Sequence, residues 1–283
     1  MPTASASTST STSASTSAST DNNTPVISRE CFRRILSDVK DIMKNPLTES
    51  NIFYKHDESN MLRGYVLIIP NNESPYKDGN YFFTVTFPTN YPHSPPTMKF
   101  ITNNGKTRFH PNLYRNGKVC LSLLNTWRGD QWSSCNTLSS VLVQLATLFT
   151  PTPLTHEPGV SAGNPANKPY EEIIFYQNIH TAICDVLVTN PVAPKTAVRV
   201  SNKFRKLDVL FKEEIRQHFF QNIHHITERL NAKIAADPAN KKPFKINMNI
   251  YNMTETINYP VLRQMVETVY NELVEIEPKI EVE

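Results

Sequence analysis

Residues 81–100, YFFTVTFPTNYPHSPPTMKF, hold one strand, a proline-rich bend and the start of another. Tyr81, Phe83, Val85 and Phe87 alternate with Phe82, Thr84 and Thr86, the two-residue period of a pleated strand. Prolines then interrupt the pattern, and Thr97 to Thr102 predicts a further short strand. Working towards the N-terminus, Leu62 to Ile69 and Asn51 to Lys55 give two more strand-like runs. The Asp78-Gly79 pair marks a turn before Tyr81. Short connections between four such runs favour an antiparallel meander. Ahead of them, Ser28 is placed to cap a helix on which Phe32, Ile35, Leu36, Val39 and Met43 share a face, and Pro46 stops it. Beyond them, Leu138, Val141, Leu142, Leu145 and Phe149 trace a helix stopped by Pro151 and Pro153. Further helices are expected from about Tyr170 to Val188, within Thr196 to Ala235, and from Pro260 to about Val274, with a loop from Asp237 to Phe244. The fold class is α+β: a four-stranded antiparallel meander sheet, an N-terminal helix, C-terminal helices and a helical C-terminal extension.

Composition narrows the function. With 283 residues, 39% hydrophobic, the chain can fill a core. A balance of 29 Lys and Arg against 26 Asp and Glu, net +3, gives no case for nucleic acid or a membrane surface as a partner. No apolar run reaches the roughly 20 residues of a membrane span, and the N-terminus lacks a secretory signal, so a soluble intracellular protein, cytoplasmic or nuclear, is expected. Every residue from Thr3 to Thr20 is Ser, Thr or Ala. Residues 1–25 are accordingly read as a disordered spacer, 26–190 as the core and 191–283 as the mainly helical extension. Cys31, Cys120, Cys135 and Cys184 form no CxxC pair, so no metal site is expected. In a reducing compartment these thiols stay free.

Phe109 to Gln131 carries no sustained periodicity and is dense in His, Asn, Gly, Cys and Trp, the mark of a functional loop. Its centre, HPNLYRNGKVCLSLL (110–124), together with FPTNYPHSPP (87–96), Trp132-Ser133 and the helix that follows, resembles the ubiquitin-conjugating enzyme family. The similarity covers roughly Ser28 to Val188. It implies that Cys120 carries ubiquitin or a ubiquitin-like modifier as a thioester, received from a ubiquitin-activating enzyme and passed to a lysine amine or a ligase. No cofactor is bound directly; ATP is consumed at the activating enzyme. Cysteine suits the task because its thiolate attacks one thioester and leaves in another. Asn112 is the candidate oxyanion donor or loop brace. His110 and Pro111 are read as structural, Gly117 as a point of close backbone approach, and Trp132 as part of the active-site frame. In the loop TPTPLTHEPG, Glu157, with His156 beside it, is the candidate acidic group that helps an incoming lysine lose its proton.

The resemblance also assigns contacts. Arg33, Arg34 and Lys40 on the first helix are candidates for the activating enzyme. His93, Ser134 and Cys135 occupy the loops that meet RING-type ligases, where well-studied members carry a large apolar residue and Ser-Pro-Ala; these departures point to a specialised ligase. The stretch LNTWRGDQWSS (124–134) is similar to the large branch that includes the hybrid conjugating-ligase enzymes and the enzyme charged by the second ubiquitin-activating enzyme. FFQNIHHITERL, ADPANKKPF and YPVLRQMVETVYNEL extend that likeness into the C-terminal region. Two other readings compete: a cysteine hydrolase in which His110 or His156 serves Cys120 as base, and a non-catalytic modifier-binding variant of the same fold.

Overall fold

The computed structural model describes residues 27–188 and 205–276. The N-terminal spacer and the proposed core boundary near residue 190 lie outside them. Helix α1, Arg29–Lys44, starts where Ser28 accepts the Cys31 N–H at 3.0 Å and ends at Asn45, before Pro46. Strands β1 (Ile52–His56), β2 (Arg63–Ile68), β3 (Tyr81–Thr86) and β4 (Thr97–Phe100) form one antiparallel sheet in chain order. Val66 pairs with Phe83, and Val85 with Met98.

The alternation along β2 and β3 sorts side chains between two cores. Val66, Ile68, Tyr81, Phe83 and Val85 face Ile35 and Val39 of α1 and Leu142 and Leu145 of α2 (Leu138–Ala146). Tyr65, Leu67 and Phe82 point the other way. That outer face is covered as well, which is why LeuVal-rich β2 reads as an almost unbroken apolar run. Helix α3 (Asn167–Gln177) passes through a π-helical segment, Asn178–Cys184, into the short α4, Asp185–Leu187, matching the single helix expected there. The remaining cover comes from the extension: α5 (Arg205–Leu210), α6 (Lys212–Ala236) and α7 (Tyr259–Ile276). Phe211 packs on Phe82 with ring centroids 6.0 Å apart. The extension therefore shares a core with the sheet.

Polar contacts fasten it. The buried Asp78 carboxylate, on the turn before β3, meets His218 at 3.1 Å, His225 at 3.3 Å and Arg229 at 3.7 Å, all on α6. Burial pushes the Asp78 carboxyl up, but His218, Arg229 and His225 outweigh it and hold the group below its ordinary value. Two features depart from the expected helices and loop. Pro238–Lys241 forms a short 3-10 turn, and Phe244–Met248 (β5) pairs with Met253–Ile257 (β6) in an antiparallel hairpin. Lys245, Asn247, Thr254 and Thr256 are exposed and alternate with Phe244, Ile246, Met248, Met253 and Ile257, because only one face is covered. Among the described residues no helix is long and apolar enough to cross a membrane.

Candidate active site

The irregular segment after β4 is held by reciprocal backbone bonds. The Asn112 carbonyl accepts the Cys120 N–H at 2.9 Å, and the Asn112 side-chain amide donates back to the Cys120 carbonyl at 2.8 Å. Between them the chain doubles back: Tyr114 donates to the Lys118 carbonyl and Gly117 to the Tyr114 carbonyl, both at 2.9 Å. Gly117 has φ 91°, and its carbonyl accepts the Phe100 N–H at 2.8 Å, stitching the turn to β4. A Cβ there would lie 2.8 Å from the Phe100 carbonyl oxygen, so both the dihedral and the space require glycine. The expectation of close backbone approach at Gly117 thus has a specific cause.

His110 is fully buried, and its Nδ1 accepts the Asn112 N–H at 2.9 Å. Burial, with the neighbouring His156 and Arg108 adding to it, holds the imidazole far below its usual value and therefore neutral. It braces the loop. His156 lies edge-on to it at 4.9 Å, and burial lowers its value too. Pro111 offers its carbonyl to the Arg108 guanidinium at 2.5 Å. Cys120 is only 2% exposed. Cys31 and Cys184 are buried as well, and in both burial pushes the thiol up, towards the protonated, inert form. Cys135 is exposed.

Trp132 donates its indole N–H to the Pro92 carbonyl at 2.7 Å and packs 5.7 Å from Tyr91. It thereby ties the two candidate ligase loops together, and the Ser134 hydroxyl donates to the same carbonyl at 3.3 Å. His93 is 61% exposed, with Nε2 3.4 Å from Glu30. On α1, Arg33 and Lys40 are exposed. Arg34 is not a free charge: it bonds Asp38 at 2.9 Å and the carbonyls of Ser134 and Asn136. Its role in the fold is to brace the loop before α2.

Several contributing residues had no signal of their own in the sequence. The Thr126 hydroxyl accepts the Leu121 N–H and donates to the Val119 carbonyl, both at 2.9 Å, clamping the backbone on either side of Cys120. Gln144 on α2 donates to Ser122 Oγ at 2.8 Å. Arg108 donates to the His110 carbonyl at 3.1 Å and stacks over Tyr114, 3.3 Å from its centroid. Glu157 accepts a hydrogen bond from the phenol of Tyr251, at the tip of the β5–β6 hairpin. Thr126, Gln144, Arg108 and Tyr251 join the site only through contacts that no motif along the chain records.

The family model "Ubiquitin-conjugating enzyme" matches residues 34–181. The chain is 37% identical over 179 residues to "Ubiquitin-conjugating enzyme E2 Z" of Danio rerio, covering 62% of this chain and 54% of that protein. It is 38% identical over 161 residues to the Homo sapiens protein of that name, covering 56% and 45%. It is also 31% identical over 185 residues to the human "Dual E2 ubiquitin-conjugating enzyme/E3 ubiquitin-protein ligase BIRC6", covering 61% of this chain and 4% of that protein. The chain spans about half the length of the E2 Z relatives. With the sheet, the flanking helices and the His-Pro-Asn loop in family order, the chain belongs to the ubiquitin-conjugating enzyme family.

Proposed function

We propose that this chain takes ubiquitin or a ubiquitin-like modifier from an activating enzyme as a thioester on Cys120 and transfers it to a lysine amine or to a ligase. The Cys120 thiolate attacks the incoming thioester carbonyl and the activating enzyme's thiolate leaves. An amine then attacks, the isopeptide bond forms and Cys120 leaves as thiolate. The observation that carries this reading is the reciprocal Asn112–Cys120 pair, which fixes an amide donor beside the candidate nucleophile. An amide nitrogen has two hydrogens. One is committed to the Cys120 carbonyl, and the second is available to an oxyanion, so bracing and electrostatic roles are compatible. Because Cys120 is nearly buried, loading requires the surrounding loops to admit the modifier's tail.

Glu157 is the proposed acceptor for the proton of an incoming lysine. Neutralising an ammonium with a value near 10.4 at pH 7 costs about 4 to 5 kcal/mol, which makes such help worthwhile. The likeness to the E2 Z proteins and to the hybrid enzyme supports the large branch, and with it charging by the second activating enzyme and a specialised ligase. The four free cysteines suit the reducing cytoplasm or nucleus. The hydrolase alternative is less well supported, since the Asn112 N–H occupies the Nδ1 lone pair of His110 and burial makes that imidazole a poor base.

The test is incubation with ATP, modifier and each activating enzyme, followed by non-reducing electrophoresis. A thiol-sensitive adduct should form on the parent and vanish in Cys120→Ala, and Cys120→Ser should give at most a thiol-resistant ester. An adduct that persists in Cys120→Ala and is lost in Cys135→Ala would move the site.

A further inference from the structure

The hairpin tip of the extension packs against Glu157 and against Arg108, which braces the His-Pro-Asn loop, and its backbone is unusual there. Tyr251 has φ 62° and Asn252 φ 50°. A left-handed conformation is tolerated by Gly or Asn but costs a bulky side chain roughly 1 to 2 kcal/mol. The contacts of Tyr251 explain what offsets it. Its phenol donates to Glu157, its carbonyl accepts from Arg115 at 2.5 Å, and its ring lies 5.0 Å from the guanidinium of Arg108. That same guanidinium bonds the carbonyls of His110 and Pro111. Met253 Sδ accepts the Arg108 N–H at 3.3 Å, so the start of β6 holds the loop as well. The ring also sits 6.1 Å from Tyr170. A single strained tyrosine therefore touches both the loop of the His-Pro-Asn tripeptide and the loop of Glu157.

We propose that Tyr251 is a positioning residue for lysine transfer: by donating to Glu157, its phenol fixes the orientation of the carboxylate that is to accept the lysine proton. The proposal rests on the Cys120 and Glu157 assignments above and makes the extension a working part of the site. Burial, and then the adjoining Glu157, push the phenol well above its ordinary value, so Tyr251 remains the donor at any physiological pH.

The experiment uses the full chain, charged with modifier and chased with free lysine. Tyr251→Phe keeps the ring over Arg108 and deletes only the hydroxyl. The ratio of discharge rate to charging rate should fall about tenfold at pH 7, equivalent to about 1.4 kcal/mol. The deficit should shrink as the pH rises towards the lysine value of about 10.4, where the amine needs no acceptor. In a Glu157→Gln background, adding Tyr251→Phe should change discharge less than twofold, because the two act through one bond. Tyr251→Gly, which relieves the left-handed strain, should show the same defect or a larger one, so poor folding of Tyr251→Phe cannot hide the answer. A parental ratio in both tyrosine variants beside a slowed Glu157→Gln would overturn the proposal and leave Glu157 standing. A defect that ignores pH, or multiplies in full with Glu157→Gln, would reduce Tyr251 to a structural contact and overturn it too. A parental discharge rate in Glu157→Gln overturns the Glu157 assignment and this proposal together, and failure of the Cys120 assignment shows separately, in the charging step.

Discussion

Arg34 on α1 donates to the carbonyl oxygen of Ser134, 100 residues further along the chain, at 2.6 Å, while its Nε holds the buried carboxylate of Asp38. Asp38 in turn accepts the Tyr91 hydroxyl and the Leu138 N–H. Arg34→Ala would leave that carboxylate without its countercharge, and two remaining bonds offset only part of the cost. A destabilisation of about 2 to 3 kcal/mol is expected in urea denaturation at pH 7, near the lower end for breaking a buried pair. Charging by an activating enzyme should fall with it, through loss of loop order. Arg34→Ala with parental stability and impaired charging would instead assign Arg34 a direct contact.

Gly117→Ala places a methyl against the Phe100 carbonyl and forces a left-handed dihedral on alanine. Together these should cost about 2 to 4 kcal/mol and slow charging, because the turn connects Asn112 to Cys120. Thermal unfolding and the charging assay, run together, check both.

Asn112→Ala separates its two roles. If the side chain stabilises the oxyanion, charging should survive while discharge to lysine falls about 100-fold, the order of magnitude for about 3 kcal/mol. If it only braces the Cys120 carbonyl, charging and discharge should fall in parallel. Single-turnover rates for each step decide between them.

The neutral, buried His110 predicts a pH dependence. Its folded-state value lies below the unfolded one near 6.5, so the native state binds fewer protons and loses stability as the pH drops below about 6.5. His110→Asn offers an oxygen where Nδ1 accepts the Asn112 N–H and does not titrate. Between pH 7 and 5 the parent should lose up to about 2 kcal/mol relative to this variant. His56, also lowered by burial, remains in both chains and cancels in the difference. Parallel stability curves would contradict the assignment.

His93 and Ser134 predict a weak response to generic RING domains. His93 stands exposed beside Glu30 and presents a polar ring where an apolar anchor is worth about 1.5 to 3 kcal/mol. Generic RING domains should barely speed lysine discharge, and His93→Phe with Ser134→Pro should raise the response about tenfold. Strong stimulation of the unmodified chain by unrelated RING domains would remove these positions from partner choice.

The sequence by itself determined the sheet, the first two helices and the candidate nucleophile. Tyr81 to Phe87 alternates because one strand faces two different cores, Ser28 caps α1 by a bond to its own next turn, and the Asn112 to Cys120 spacing is local. These are interactions over a few residues, and short-range patterning records them. The outer cover of Leu67 and Phe82, the bracing role of Arg34 and the partner of Glu157 were decided only by the tertiary structure. The β5–β6 hairpin was missed although its two five-residue strands largely alternate polar and apolar residues, because the connection Asn249 to Asn252 carries no glycine and puts a tyrosine, Tyr251, in the left-handed region. Tyr251 meets Glu157 across 94 residues, and no spacing along the chain encodes a contact made when the extension folds back over the sheet and its hairpin meets that loop.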